Sequence, residues 1–168
     1  MKSLLATLVL AGALAASALA APSLVIRGDQ FIGSFAVKKN GTLAGVEKAF
    51  GKPAELRKTK DGCLGLWPDV ALSVLFYNLA GKSPCKPKTG FFSDGLMTRS
   101  GWHTSNGLRI GDTLARLRQL YPHAEKHGAW QWLVVRQTQA TGRYAGLSAK
   151  IAGGYVSAFE IVYGAGGE

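Results

Sequence analysis

Apolar residues recur at helical spacing in two short stretches of the chain and cluster or alternate in strand-like runs through much of the rest. Leu43, Val46 and Phe50 share one face of a helix that Thr42 caps and that Gly51, with Pro53 beyond it, brings to a stop. Leu114, Leu117 and Leu120-Tyr121 repeat the pattern after Gly111-Asp112-Thr113, and Pro122 ends it. Gly111 can take a backbone conformation closed to other residues, Asp112 or Thr113 accepts from the first-turn amides, and Leu114 and Leu117 turn inward. Setting Thr42 on Thr113 brings Leu43-Ala44 onto Leu114-Ala115, Val46 onto Leu117, Ala49 onto Leu120 and Phe50 onto Tyr121. The economical reading is two degenerate repeats of about seventy residues, each a short helix followed by strands. They span about residues 31–95 and 96–168.

Strand signals fit that layout. Leu64 to Trp67 and Ala71 to Tyr77 are apolar runs parted by Pro68-Asp69, with turn chemistry from Asn78 to Pro84. Trp130 to Arg136, Tyr144 to Ile151 and Tyr155 to Tyr163 predict a meander whose last pair turns through Gly153-Gly154. Leu24 to Arg27 and Phe31 to Val37, around Gly28-Asp29, predict an added edge pair. Residues 86–106, rich in Gly, Ser and Thr, predict a linker with a short strand near Phe91-Phe92. The class is α+β: an antiparallel sheet with short helices packed on one face.

The first twenty residues change the picture by setting the compartment. Lys2, an Ala/Leu-rich apolar run and Ala18-Leu19-Ala20 predict a secretory signal peptide cleaved after Ala20. A single domain over residues 21–168 then remains, in the periplasm or outside the cell, unless the leader stays as an anchor. No other stretch has the ~18 apolar residues of a membrane span. In an exported chain, two cysteines, Cys63 and Cys85, predict a disulfide. Closing its loop contributes about 3 kcal/mol on the chain-entropy account.

The run Trp102-His103-Thr104-Ser105-Asn106-Gly107-Leu108-Arg109-Ile110-Gly111-Asp112-Thr113, with Leu120-Tyr121-Pro122 after it, resembles a helix start found in many secreted proteins of high-GC Gram-positive bacteria. That start reads T-x-x-G-hydrophobic-x-hydrophobic-G-D-[ST]. The tandem helix-then-sheet layout is similar to that of the beta-lactamase inhibitor protein and, for one repeat, to the small outer-membrane assembly lipoproteins. The resemblance implies a fold and non-enzymatic binding of other proteins. The inhibitor's contact residues have no matching motif here, so none is carried over.

Catalytic signatures are sparse. No phosphate-binding glycine loop and no G-x-S-x-G elbow occur. Asp29, Asp61, Asp69 and Asp94 each sit beside Gly or Pro in turn-like contexts, leaving little for a paired-carboxylate site. His123, Glu125 and His127, at alternate positions after Pro122, form the one arrangement with metal-ligand character, provided the segment is extended. The competing reading is a polar strand edge, and no cofactor is implied.

Charge and aromatics supply two binding expectations. The chain carries 20 Lys+Arg against 10 Asp+Glu, a formal net charge of +10, which attracts polyanions. Lys48, Lys52, Arg57, Lys58 and Lys60 form one basic group, and Arg116 and Arg118 belong to another. Export disfavours nucleic acid, so an anionic envelope polymer is the partner these groups would take. Trp130 and Trp132 alternate on one strand. Facing the helices they fill the core, which a small sheet's need for bulky filling favours; facing the open side they become a platform with Arg136, Tyr144 and Tyr155 for an extracytoplasmic protein. The leading expectation is a monomeric, non-enzymatic binding protein using the open sheet face. The envelope-polymer binder and the metal-dependent enzyme are the alternatives.

Overall fold

Both helices form where their caps put them. The computed structural model describes residues 21–37, 41–60, 62–78, 83–138 and 142–163; the expected leader lies outside the described residues. Helix α1 runs Leu43–Phe50 and α2 runs Leu114–Leu120. The Thr42 hydroxyl accepts the Gly45 N–H at 3.3 Å, and the Thr113 hydroxyl accepts the Arg116 N–H at 3.1 Å. Each such cap contributes about 1 kcal/mol. Gly51 closes α1 at φ +80°, in the region that glycine alone enters without strain.

The first-turn amides need further acceptors, and neighbouring loops provide them. Leu43 and Ala44 donate to the carbonyls of Gly90 and Pro87 at 2.9 and 3.0 Å, and Leu114 donates to that of Gly154 at 2.9 Å. Cys85 lies in the segment leading to Gly90 and is disulfide-bonded to Cys63, with Cα atoms 5.2 Å apart. The expected bridge therefore holds the loop against which α1 begins.

Among the described residues the strands form two sheets. The larger has eight strands in the order β4-β5-β6-β7-β12-β11-β10-β9, all antiparallel. Its first four are β4 (Glu55–Lys58), β5 (Cys63–Trp67), β6 (Leu72–Tyr77) and β7 (Phe91–Met97). The others are β9 (Glu125–His127), β10 (Trp130–Thr138), β11 (Gly142–Ala152) and β12 (Tyr155–Val162). Helix α1 precedes β4 to β7, α2 precedes β9 to β12, and the two groups meet where β7 pairs with β12.

Two expectations are corrected. The N-terminal strands do not extend this sheet. β1 (Val25–Arg27), β2 (Phe31–Ile32) and β3 (Phe35–Ala36) join β8 (His103–Thr104) in a separate four-stranded sheet, where β1 runs parallel to β8. Ile26, Ile32 and Phe35 are buried, so this small sheet covers the core instead of lengthening the large sheet's edge.

The second correction concerns the linker. Its short strand is β7, a seven-residue central strand on which the two halves of the large sheet join. Ser93-Asp94-Gly95 reads as a turn because its residues are turn formers. Each is used otherwise here. Gly95 gives room to the core: a Cβ there would stand 2.9 Å from Ile32 Cδ1 and 3.2 Å from the Phe92 ring. Ser93 fills a register irregularity opposite β6, and Asp94 faces away from the core.

One buried cluster unites these parts. Leu43 and Val46 of α1 and Leu117 of α2 belong to the same core as Val74, Phe76, Phe92, Leu147, Phe159 and Ile161. Trp67 and Trp102 are buried too, and their indole N–H groups donate to the carbonyls of Gly51 and Val70 at 2.8 and 2.7 Å. A buried indole needs such an acceptor.

Candidate binding face

Alternation along each strand gives the large sheet two unlike faces. Trp67, Leu72, Val74, Phe76, Met97, Phe159 and Ile161 point into the core. The residues between them are half-exposed and take no part in the core cluster. On this outward face one row of cross-strand partners crosses the whole sheet. Glu55 lies opposite Leu66, Leu66 opposite Ser73, Ser73 opposite Leu96 and Leu96 opposite Glu160. The row continues through Ser148 and Trp132 to Glu125 at the far edge. A neighbouring row runs Arg57, Leu64, Leu75, Asp94, Val162, and another Ala158, Lys150, Trp130, His127.

Leu75, Leu96 and Val162 flank two acids on this face, with Ser148 and Lys150 on their β11 side. Asp94 and Glu160 occupy diagonal positions on adjacent strands, close enough for long side chains to interact. Burial raises the Asp94 carboxyl above its ordinary value, partly offset by a hydrogen bond with Ser93. Burial likewise raises Glu160; the nearby charge of Asp94 adds to the shift, while Ser148 and Lys150 work against it. Each carboxyl therefore holds its proton more tightly than an exposed acid.

At the β9 edge the aromatics are engaged. The His127 ring stacks on Trp132 with centroids 3.5 Å apart and planes 11° from parallel. Lys150 Nζ lies 5.8 Å from the Trp130 ring centroid. Glu125 bonds to Arg143 and lies 3.6 Å from His127 Nε2.

The five residues of the expected platform do not form one patch. Trp130 and Trp132 are half-exposed on the outward face and take no part in the core, against the filling role that the sequence favours, because the buried helix residues Leu43, Val46 and Leu117 join the core on the sheet's other side. Register shifts around Val134 then change the alternation of β10, so that Val134 pairs with buried Leu147 and Arg136, two residues on, shares its side. Arg136 is held there by Asp29, with Tyr144 as its cross-strand partner. Tyr155 stands exposed at the start of β12, bridged to Thr113 beside α2.

The other candidates are likewise dispersed. The metal triad requires residues 123–127 to be extended, but the Ala124 N–H bonds to the Tyr121 carbonyl at 3.1 Å, and the strand starts only at Glu125. His123 is left in an exposed turn. Among the described residues no three His, Cys, Asp or Glu side chains come close enough to hold a metal ion. Lys48, Lys52, Arg57, Lys58 and Lys60 are exposed along the end of α1 and edge strand β4, and Arg57 bonds to Glu55 at 3.0 Å. Arg116 and Arg118 are exposed on α2, a different element.

The sequence reading missed Asp94 and Glu160 as a pair. The available signal was a lone Glu inside the apolar run Phe159 to Val162. Asp94 could join it only once β7 was recognised.

No protein-family model and no curated protein matches the chain. Among solved structures it is similar to an extracellular protein containing a SCP domain from Bacillus anthracis str. Ames. The identity is 10%, the TM-score is 0.46, and the match covers 74% of this chain and 44% of that one. The chain thus spans under half the length of that protein.

Proposed function

We propose that the chain is an exported, non-enzymatic binding protein that recognises an extracytoplasmic protein through the outward face of its large sheet. On this reading it consists of two degenerate repeats, each a helix and four strands, with the helices on the opposite face. Export rests on the apolar leader and on the Cys63–Cys85 disulfide, which persists in oxidising compartments. Among the described residues no helix is long and apolar enough to cross a membrane.

The observation that carries the reading is the cross-strand row from Glu55 to Glu125 with its leucines and Trp132 half-exposed. Eight strands at about 4.8 Å spacing make this face about 34 Å wide. The row that crosses all eight strands and the two shorter rows beside it, less the buried Ser148 and Ala158, offer on the order of 500 Å², somewhat below the roughly 800 Å² per partner of a standard interface. An acidic centre flanked by leucines also argues against an anionic polymer on this face.

Capture tests the proposal when paired with face variants. Exported protein is immobilised and exposed to an extracytoplasmic protein fraction at about 0.15 M and about 1 M salt. The expected result is a partner that survives high salt on the wild type and is lost on Leu96→Ser with Trp132→Ala. A partner kept equally by that variant overturns the proposal. Salt-sensitive retention lost on Lys58→Gln with Lys60→Gln would instead favour the polyanion reading.

A further inference from the structure

The centre of the outward face carries two carboxyls that serine hydroxyls contact and, among the described residues, no ion pair holds. The chain as a whole is strongly basic, with 20 Lys+Arg to 10 Asp+Glu. Two of those ten acids nevertheless stand together in the middle of the large sheet, one on each of the strands that join its halves. Their nearest polar company is the hydroxyls of Ser93 and Ser148. Among the described residues no ion pair reaches either carboxylate. Lys150 is the nearby cation, and it lies against the Trp130 ring.

Such a pair is an electrostatic burden in the isolated protein. Like charges on neighbouring strands repel, and a half-buried carboxylate loses solvation. Both carboxyls are raised above their ordinary values, as that burden requires. Neutral side chains would fill the same positions without it. Ionisable groups perturbed by burial and by a like-charged neighbour mark a candidate functional site.

Resting on the reading of this face as a protein-binding surface, we infer that the partner inserts an arginine flanked by apolar residues, its guanidinium lying between Asp94 and Glu160. A guanidinium is planar and offers several N–H donors, so it can serve two carboxylates at once. Leu75, Leu96 and Val162 flank the pair on the same face, and Ser148 and Lys150 lie on its β11 side. A partner's apolar residues packed there would exclude water and strengthen the ion contacts. A free polyamine would leave those groups uncovered. An anionic lipid surface or polymer would meet the wrong charge.

A displayed library of random disulfide-closed loop peptides, panned against the exported protein at about pH 7, tests the inference. Recovered peptides are titrated against the wild type, against Asp94→Asn with Glu160→Gln, and against Leu96→Ser with Trp132→Ala. The expected peptides contain arginine beside apolar residues. They bind the amide variant at least about tenfold more weakly, and replacing their arginine by alanine has little further effect on that variant. The amide variant removes a repulsion and so should fold at least as well as the wild type, which thermal melting checks. Peptides that depend on Leu96 and Trp132 but lack arginine enrichment, or that bind the amide variant undiminished, overturn the inference and leave the binding face standing. Peptides indifferent to Leu96 and Trp132, or no binders at all, count against both.

Discussion

Arg136 grips Asp29 through two hydrogen bonds, Nε to Oδ2 at 2.5 Å and Nη2 to Oδ1 at 2.7 Å, across 107 positions of sequence. The carboxylate is nearly buried while the guanidinium remains partly exposed, so the pair clamps the β1–β2 turn onto strand β10. Gly146 makes room for it, since a Cβ there would approach Asp29 Oδ2 to 2.7 Å. The register shifts of β10 put Arg136 on this side of the sheet, and the contact holds it there.

Removing the cation takes the ion-pair partner from a buried carboxylate. Arg136→Ala should destabilise the fold by about 1–3 kcal/mol in denaturant unfolding. Asp29→Asn added to Arg136→Ala should restore part of the loss. Two additive effects would show that the pair is not coupled.

The acids at the centre of the sheet should act in the opposite sense. Asp94 and Glu160 hold protons more tightly when folded than when unfolded, so the native state binds more protons. Stability therefore falls as pH rises from their ordinary values, 3.8 and 4.5, through the raised ones. Asp94→Asn with Glu160→Gln should raise the melting temperature at about pH 7 and leave it little changed at about pH 3. A lower melting temperature at neutral pH would mean that the carboxylates stabilise the free protein.

The disulfide should protect one helix start more than the sheet. Cys63→Ser with Cys85→Ser should cost about 3 kcal/mol. Hydrogen exchange at the Leu43 and Ala44 amides, whose acceptors lie in the tethered loop, should accelerate more than at β11. Uniform acceleration would show that the bridge acts only through global stability.

What the sequence disclosed follows from how local each signal is. Thr42, Gly51 and Thr113 act within one helical turn, so both helices were legible. The pairing of Cys63 with Cys85 needs only their number and an expected leader. β7 was obscured because Ser93, Asp94 and Gly95 obey demands of the tertiary structure: room for Ile32 and Phe92, and an outward-facing acid. The face of Arg136 depends on the register shifts of β10, which no alternation pattern reveals. Trp130 and Trp132 were correctly seen to share a face, yet only the pairing with β11 and β9 tells which face it is. The acidic pair is visible only when β7 lies beside β12, a contact between residues more than sixty positions apart.

Whether the outward face meets a partner protein is read by site-specific photo-cross-linking. A photoreactive residue in place of Leu96, and another in place of Lys58, are illuminated among extracytoplasmic proteins. A discrete cross-linked protein is expected from position 96 and none from position 58. The same adduct from both positions, or one from position 58 alone, would contradict binding through this face.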